Sequence, residues 1–156
     1  MRKRFIYFSL LIVLLIYLVN IGQGEEKQYP LKVTIKSDKE VYEVSEPINI
    51  ELKITNIQDK KITICTRLIG AFLFDIVDSK GQKIWSHIRY RLRPTTKDDF
   101  LTLDSNCFYS KVFNLLDEFL IYKPGQYRVT AEKKFDLNAW TGTVISNTII
   151  ITVKKP

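Results

Sequence analysis

From Pro47 the chain alternates without a break: Ile48, Ile50, Leu52 and Ile54 are apolar, while Asn49, Glu51, Lys53 and Thr55 between them are polar or charged. A helix would scatter those four apolar side chains around its circumference. A strand gathers them on one face. The same period of two runs through Leu31, Val33 and Ile35 against Lys32, Thr34 and Lys36, and returns in Tyr127, Val129 and Ala131 and in Ile149, Ile151 and Val153. A chain patterned this way folds into half-buried strands, and such strands hide their apolar faces by stacking one sheet on another.

Turn formers punctuate the pattern. Asn56-Ile57-Gln58-Asp59-Lys60 leads into a strand around Lys61 to Thr66, and Asp78-Ser79-Lys80-Gly81 joins Phe72–Val77 to Gln82–Trp85 as a hairpin, with Gly81 at the position that needs positive φ. A further strand is predicted within Phe108 to Leu115, followed by one helical turn or an irregular crossover over Leu116 to Lys123. Short strands separated by turns predict an all-β chain, an antiparallel immunoglobulin-like β-sandwich of about seven to nine strands.

Ahead of this body stands a different kind of segment. Arg2, Lys3 and Arg4 precede an apolar run from Phe5 to Val19, and Gly22 and Gly24 place small residues before Glu25. The run is 15 residues long, short of the about 20 that span a bilayer. This predicts an N-terminal signal helix over 1–24, cleaved before Glu25, with an uncleaved anchor as the alternative. Either way the body is expected outside the cytoplasm, periplasmic or secreted, with membrane attachment only through the leader. Residues 25–30 then form a short linker, and 31–154 one domain.

Without the leader, 21 Lys and Arg face 17 Asp and Glu, a bias too small and too interspersed to point to nucleic acid. Cys65 and Cys107 are the only cysteines. An oxidising compartment permits one disulfide, closing a 42-residue loop and contributing about 4 kcal/mol. Two inert thiols are the other reading, and strand parity does not choose between them.

Pro124-Gly125-Gln126-Tyr127 is the most specific fold signal, since a tyrosine just after a Pro-Gly turn is placed like the tyrosine corner of immunoglobulin-like sandwiches. Together with Val33-Thr34-Ile35, Glu46-Pro47-Ile48-Asn49-Ile50, Ile54-Thr55-Asn56 and Ser146-Asn147-Thr148-Ile149, it makes the chain resemble exported bacterial immunoglobulin-like domains. Similar sandwiches include domains like the intracellular proteinase inhibitors and non-catalytic domains beside secreted peptidases. The resemblance implies no catalytic residues, and a role in binding or structure.

One local run stands out chemically. In a strand, His87, Arg89, Arg91 and Arg93 project from one face and Ile88, Tyr90 and Leu92 from the other. Three guanidiniums about 7 Å apart suit anionic lipid head groups, an acidic glycan or an acidic envelope protein, because each fork binds two oxygens. The plainer reading is an edge strand charged against aggregation. With a single histidine, no zinc site built on histidine pairs is available, and Asp75, Asp78, Asp98, Asp99 and Asp104 match no calcium loop. Trp85 reads as a core residue, and Trp140 as packed over one end of the sandwich or lining a carbohydrate surface.

No nucleophile elbow, zinc-protease helix or phosphate loop occurs, and no cofactor motif. The chain is therefore expected to be a non-catalytic exported binding or structural module of the cell envelope. The alternative is a proteinase inhibitor that presents the polar segment Arg93 to Asn106 to a secreted protease.

Overall fold

The computed structural model describes residues 29–66, 73–88, 94–135 and 140–156. In chain order the strands are β1 (Leu31–Ser37), β2 (Val41–Glu43), β3 (Asn49–Asn56), β4 (Ile62–Cys65), β5 (Leu73–Asp78), β6 (Lys83–Ile84), β7 (Phe100–Leu103), β8 (Phe108–Asn114), β9 (Gly125–Phe135), β10 (Gly142–Ile145) and β11 (Ile149–Lys154). They form a sheet in the order β1-β3-β8, a larger sheet β2-β11-β9-β5-β6 with β10 also on β9, and a separate β4-β7 ribbon. The alternation read from the sequence chooses the buried faces. Val33, Ile35, Ile50, Leu52 and Ile54 of the first sheet share one core with Phe74, Ile76, Val129, Ala131 and Ile151 of the second.

Two expectations need correction. The described residues hold eleven strands where seven to nine were expected, because β2, β7 and β10 run for only three or four residues, too few to show a period. The sheets are also not purely antiparallel, since β2 pairs with β11 in parallel, Val41 opposite Thr152 and Glu43 opposite Lys154. The reason is a change of sheet: after β1 the chain turns through Asp38 to Glu40 and joins the other sheet at its edge.

Tyr42 anchors that turn. It is buried, its hydroxyl donates to Asp38 Oδ1 at 2.5 Å and accepts from the Lys39 amide at 3.1 Å. Asn49 donates to the other Asp38 oxygen at 3.1 Å. The Tyr42 hydroxyl, more than the amide, holds the Asp38 carboxyl below its ordinary value of 3.8. Burial, aided by Asp38, pushes the phenol up to about 12.

A carboxyl depressed by folding contributes stability above its unfolded value and loses it as pH falls through the folded one. The stability gap between the native chain and Tyr42→Phe should therefore be full above about pH 4 and narrow below it. Thermal unfolding across that range measures the gap. One that stays constant would show that Asp38 draws nothing from the tyrosine.

β10 and β11 run along the same edge of β9 and are interrupted at Ser146-Asn147-Thr148. Here the chain leaves β9 so that Asn147 can reach the other sheet: its Oδ1 accepts from the Ile35 amide at 2.9 Å and its Nδ2 donates to the Ile35 carbonyl at 3.0 Å. Ser146 covers the gap by accepting from the Ala131 amide at 2.9 Å. The Ser-Asn-Thr run thus ties the two sheets together across the open edge of β1.

The signal helix expected over 1–24 lies outside the described residues. Among the described residues, no helix is long and apolar enough to cross a membrane.

Candidate functional site

The most exposed large apolar side chain of the described domain is Trp85, 73% accessible. Its position follows from the β5–β6 hairpin. Asp78 Oδ1 accepts from the amides of Lys80 at 2.9 Å and Gln82 at 2.8 Å, and Gly81, at φ +80°, completes a turn that a side chain would strain. The register then sets Ile84 opposite the buried Ile76 and Lys83 opposite Val77. Trp85 shares the parity of Lys83 and faces outward. Lys83 bonds Asp75 at 2.6 Å and places Nζ 4.9 Å from the indole centroid.

Beyond β6 the chain makes one more pairing. Ser86 bridges Phe119 in antiparallel fashion, and the His87 amide donates to the Glu118 carbonyl at 3.0 Å. Phe119 is buried, edge-on to Phe74 with centroids 6.5 Å apart, and Phe74 meets Phe113 at 5.6 Å in the same manner. With Phe119 directed inward, its neighbour Leu120 and the neighbour of Ser86, Trp85, turn outward together. Leu120 is 48% exposed and Tyr122 56%. A cleft of about 310 Å³ runs beside them, lined by Leu120, Tyr122, Ile84, Asp78, Lys80 and Tyr127.

The start of this Phe119–Tyr122 segment is held firmly. Asn114 accepts from the amides of Ile48 at 3.1 Å and Leu116 at 3.2 Å, capping a 3-10 turn at Leu115–Asp117. At its far end the buried Tyr127 donates its hydroxyl to the Lys123 carbonyl at 2.6 Å, and Gly125 takes φ +158°. The seam of Trp85 and Leu120 therefore sits on a braced frame.

Of the residues singled out by sequence, Arg89, Arg91 and Arg93 lie outside the described residues, and His87 is exposed beside the Ser86–Phe119 bridge. Trp85 corrects the expectation of a core tryptophan, because the parity of β6 turns it to solvent. Trp140 packs its ring on Phe135, centroids 5.5 Å apart.

Cys65 and Cys107 are both free in the structure, the first buried and the second exposed. Cys65 pairs with Phe100 at one end of the β4-β7 ribbon, and the Cys107 carbonyl, beyond the end of β7, accepts from the Asn56 amide at 3.0 Å.

The segment expected as a presented inhibitory loop is folded along much of its length. It carries a 3-10 turn at Lys97–Asp99, with Asp99 buried, and then β7. Asp99 Oδ2 accepts from the Thr96 amide at 2.7 Å and the Asp99 carbonyl from the Thr66 amide at 2.5 Å, which fastens the segment to β4. Among the described residues, no three His, Cys, Asp or Glu side chains gather where they would hold a metal ion.

Sequence reasoning missed the pairing of Trp85 with Leu120. Its one local signal was that Trp85 alternates with the apolar Ile84 and shares the parity of Lys83. Charge adds a second feature here: from Ser79 to Lys97 the chain carries six Lys and Arg and no Asp or Glu.

Two packed sheets, a first strand that switches sheets and a tyrosine bonded back to the preceding loop define an immunoglobulin-like β-sandwich domain. No protein-family model matches the chain, and no curated protein matches it. Among solved structures it is similar to the CARDB domain of the PF1109 protein from Pyrococcus furiosus, solved in complex with di-metal ions, at 16% identity over 81% of this chain and 94% of that one, with a TM-score of 0.43. Another is the Northeast Structural Genomics Consortium target SoR45, at 14% identity over 80% and 87% of the two chains and a TM-score of 0.43. A β-glucosidase from Listeria innocua in complex with gluconolactone is matched over 86% of this chain and 20% of its own length, at 14% identity and a TM-score of 0.34. At TM-scores this low, none of these likenesses carries an argument about binding or activity.

Proposed function

We propose that this chain is an exported, non-catalytic immunoglobulin-like module of the cell envelope that binds an anionic surface at the β6 edge of its larger sheet. The observation that carries the reading is a sequence stretch, Ser79 to Lys97, which holds six cations and no acidic residue and contains the exposed Trp85. Arg89, Arg91 and Arg93 supply forked donors for phosphate, sulfate or carboxylate oxygens, and His87 stands beside them in sequence. The leader over 1–24 supports an extracytoplasmic location, with Glu25 as the mature N-terminus. An acidic face on an envelope protein would meet the same cations, and co-purification from the envelope fraction identifies such a partner.

Replacing Arg89, Arg91 and Arg93 together with serine should weaken binding to anionic liposomes or acidic glycans by at least about tenfold, and native binding should fall steeply with salt. Co-sedimentation measures both. Binding by the triple variant equal to that of the native chain would remove the reading.

A further inference from the structure

We propose that the seam of Trp85 and Leu120 seats the domain on an anionic lipid bilayer, with Trp85 and Tyr122 at head-group depth and Leu120 just below. The inference rests on the anion-binding reading above and narrows it to one kind of surface.

Two properties favour a bilayer as the surface. The first is charge, which in sequence is the acid-free run from Ser79 to Lys97 around Trp85. The second is apolar exposure, since Trp85, Leu120 and Tyr122 stand out at 73%, 48% and 56%, with Ile88 at 37% close by in sequence. A soluble glycan engages guanidiniums and leaves leucine and isoleucine in water. The bilayer interface takes both kinds of group, because indole and phenol rings favour the head-group layer, aliphatic side chains the layer beneath, and cations the lipid phosphates.

The local geometry agrees with this ordering. Lys83 Nζ lies 4.9 Å from the Trp85 ring and 2.6 Å from Asp75, so a neutral ion pair accompanies the indole and the cations for the phosphates come from the rest of the run. Three nearby carboxylates are already engaged. Asp75 bonds Lys83, Asp78 caps the amides of Lys80 and Gln82, and Asp117 accepts from Asn114 at 3.0 Å. Phe119, locked against Phe74 beneath the seam, keeps Leu120 turned out without requiring a loop to refold on contact.

The test uses the emission of Trp85 in the mature chain from Glu25 onward, with Trp85→Phe as the blank that isolates the signal of Trp140. Vesicles of phosphatidylglycerol and phosphatidylcholine should shift Trp85 emission to the blue and expose it to quenching by brominated acyl chains. Vesicles of phosphatidylcholine alone should do neither. Leu120→Ser should weaken the anionic-vesicle response about tenfold, while circular dichroism and the thermal transition stay native.

Unchanged Trp85 emission on anionic vesicles overturns the seat. If the chain still binds an acidic glycan such as polygalacturonate through the three arginines, the anion-binding reading survives that result. If it binds neither vesicles nor glycan, both fall. A blue shift that persists at full strength in Leu120→Ser also overturns the seat as drawn, since Leu120 would then contribute nothing to it.

Discussion

Alanine in place of Asn56 should cost the fold about 3–4 kcal/mol, the sum of several buried polar groups left without partners. Asn56 is fully buried at the end of β3, and its Nδ2 donates to the carbonyls of Lys60 at 2.8 Å, Leu103 at 3.1 Å and Asp104 at 3.0 Å. Its Oδ1 accepts from the Gln58 amide at 3.0 Å. One side chain therefore closes the turn after β3 and fastens it to the end of β7.

Truncation strands the buried Leu103 carbonyl and removes the partner of the part-buried Lys60 carbonyl and Gln58 amide, while the Asp104 carbonyl keeps the Cys107 amide. For a domain of this size the loss corresponds to about 10–15 °C in the unfolding midpoint. Asn56→Asp should be worse, since a carboxylate cannot donate and would face three carbonyl oxygens. Calorimetry of the two variants checks both the size and the order. A shift of about 2 °C or less would mean that the amide is not the hub the geometry makes it.

Phe74→Ala is expected to destabilise by about 3–5 kcal/mol, combining lost transfer energy with an unfilled cavity. Its further consequence is local. Phe74 is the surface on which both Phe113 of the first sheet and Phe119 beneath the seam rest edge-on. Without it Phe119 loses its seat, and the Ser86–Phe119 bridge with the adjacent bond from the His87 amide to the Glu118 carbonyl should open more often.

Hydrogen exchange at His87 should then accelerate by more than the loss of global stability explains. Phe74→Leu, which keeps most of the volume, should recover most of both effects. If exchange at His87 follows global stability alone in both variants, the core does not brace the seam.

How far the fold was legible varies from element to element, and the variation has a physical pattern. Strands whose alternation runs long enough to show a period were readable, so Val33 and Ile35, Ile50 to Ile54, and Tyr127 to Ala131 are buried on the face the alternation chose. Short strands were not. Val41-Tyr42-Glu43 places a single residue in the core, and Phe100–Leu103 lies in a polar segment whose strand character depends on β4, about forty residues away. Gly142–Ile145, four residues long, shows no period of its own.

The candidate site was half legible. The cations of Arg89, Arg91 and Arg93 could be counted, but Leu120 read as part of a crossover and Trp85 as core. Nothing near either residue states that they meet across a single bridge.

What the sequence alone determined is the class of local structure and which side chains share a face, because alternation is a property of neighbouring residues and needs no partner. It also supplied the corner motif at Pro124 to Tyr127 and the acid-free run around Trp85. What only the tertiary structure decided is which remote groups come together: β2 beside β11 in parallel, Asn147 on the edge of β1, β4 against β7, and Leu120 beside Trp85. Those choices depend on how two sheets stack and where the chain crosses between them, and that free energy is distributed over contacts far apart in the chain.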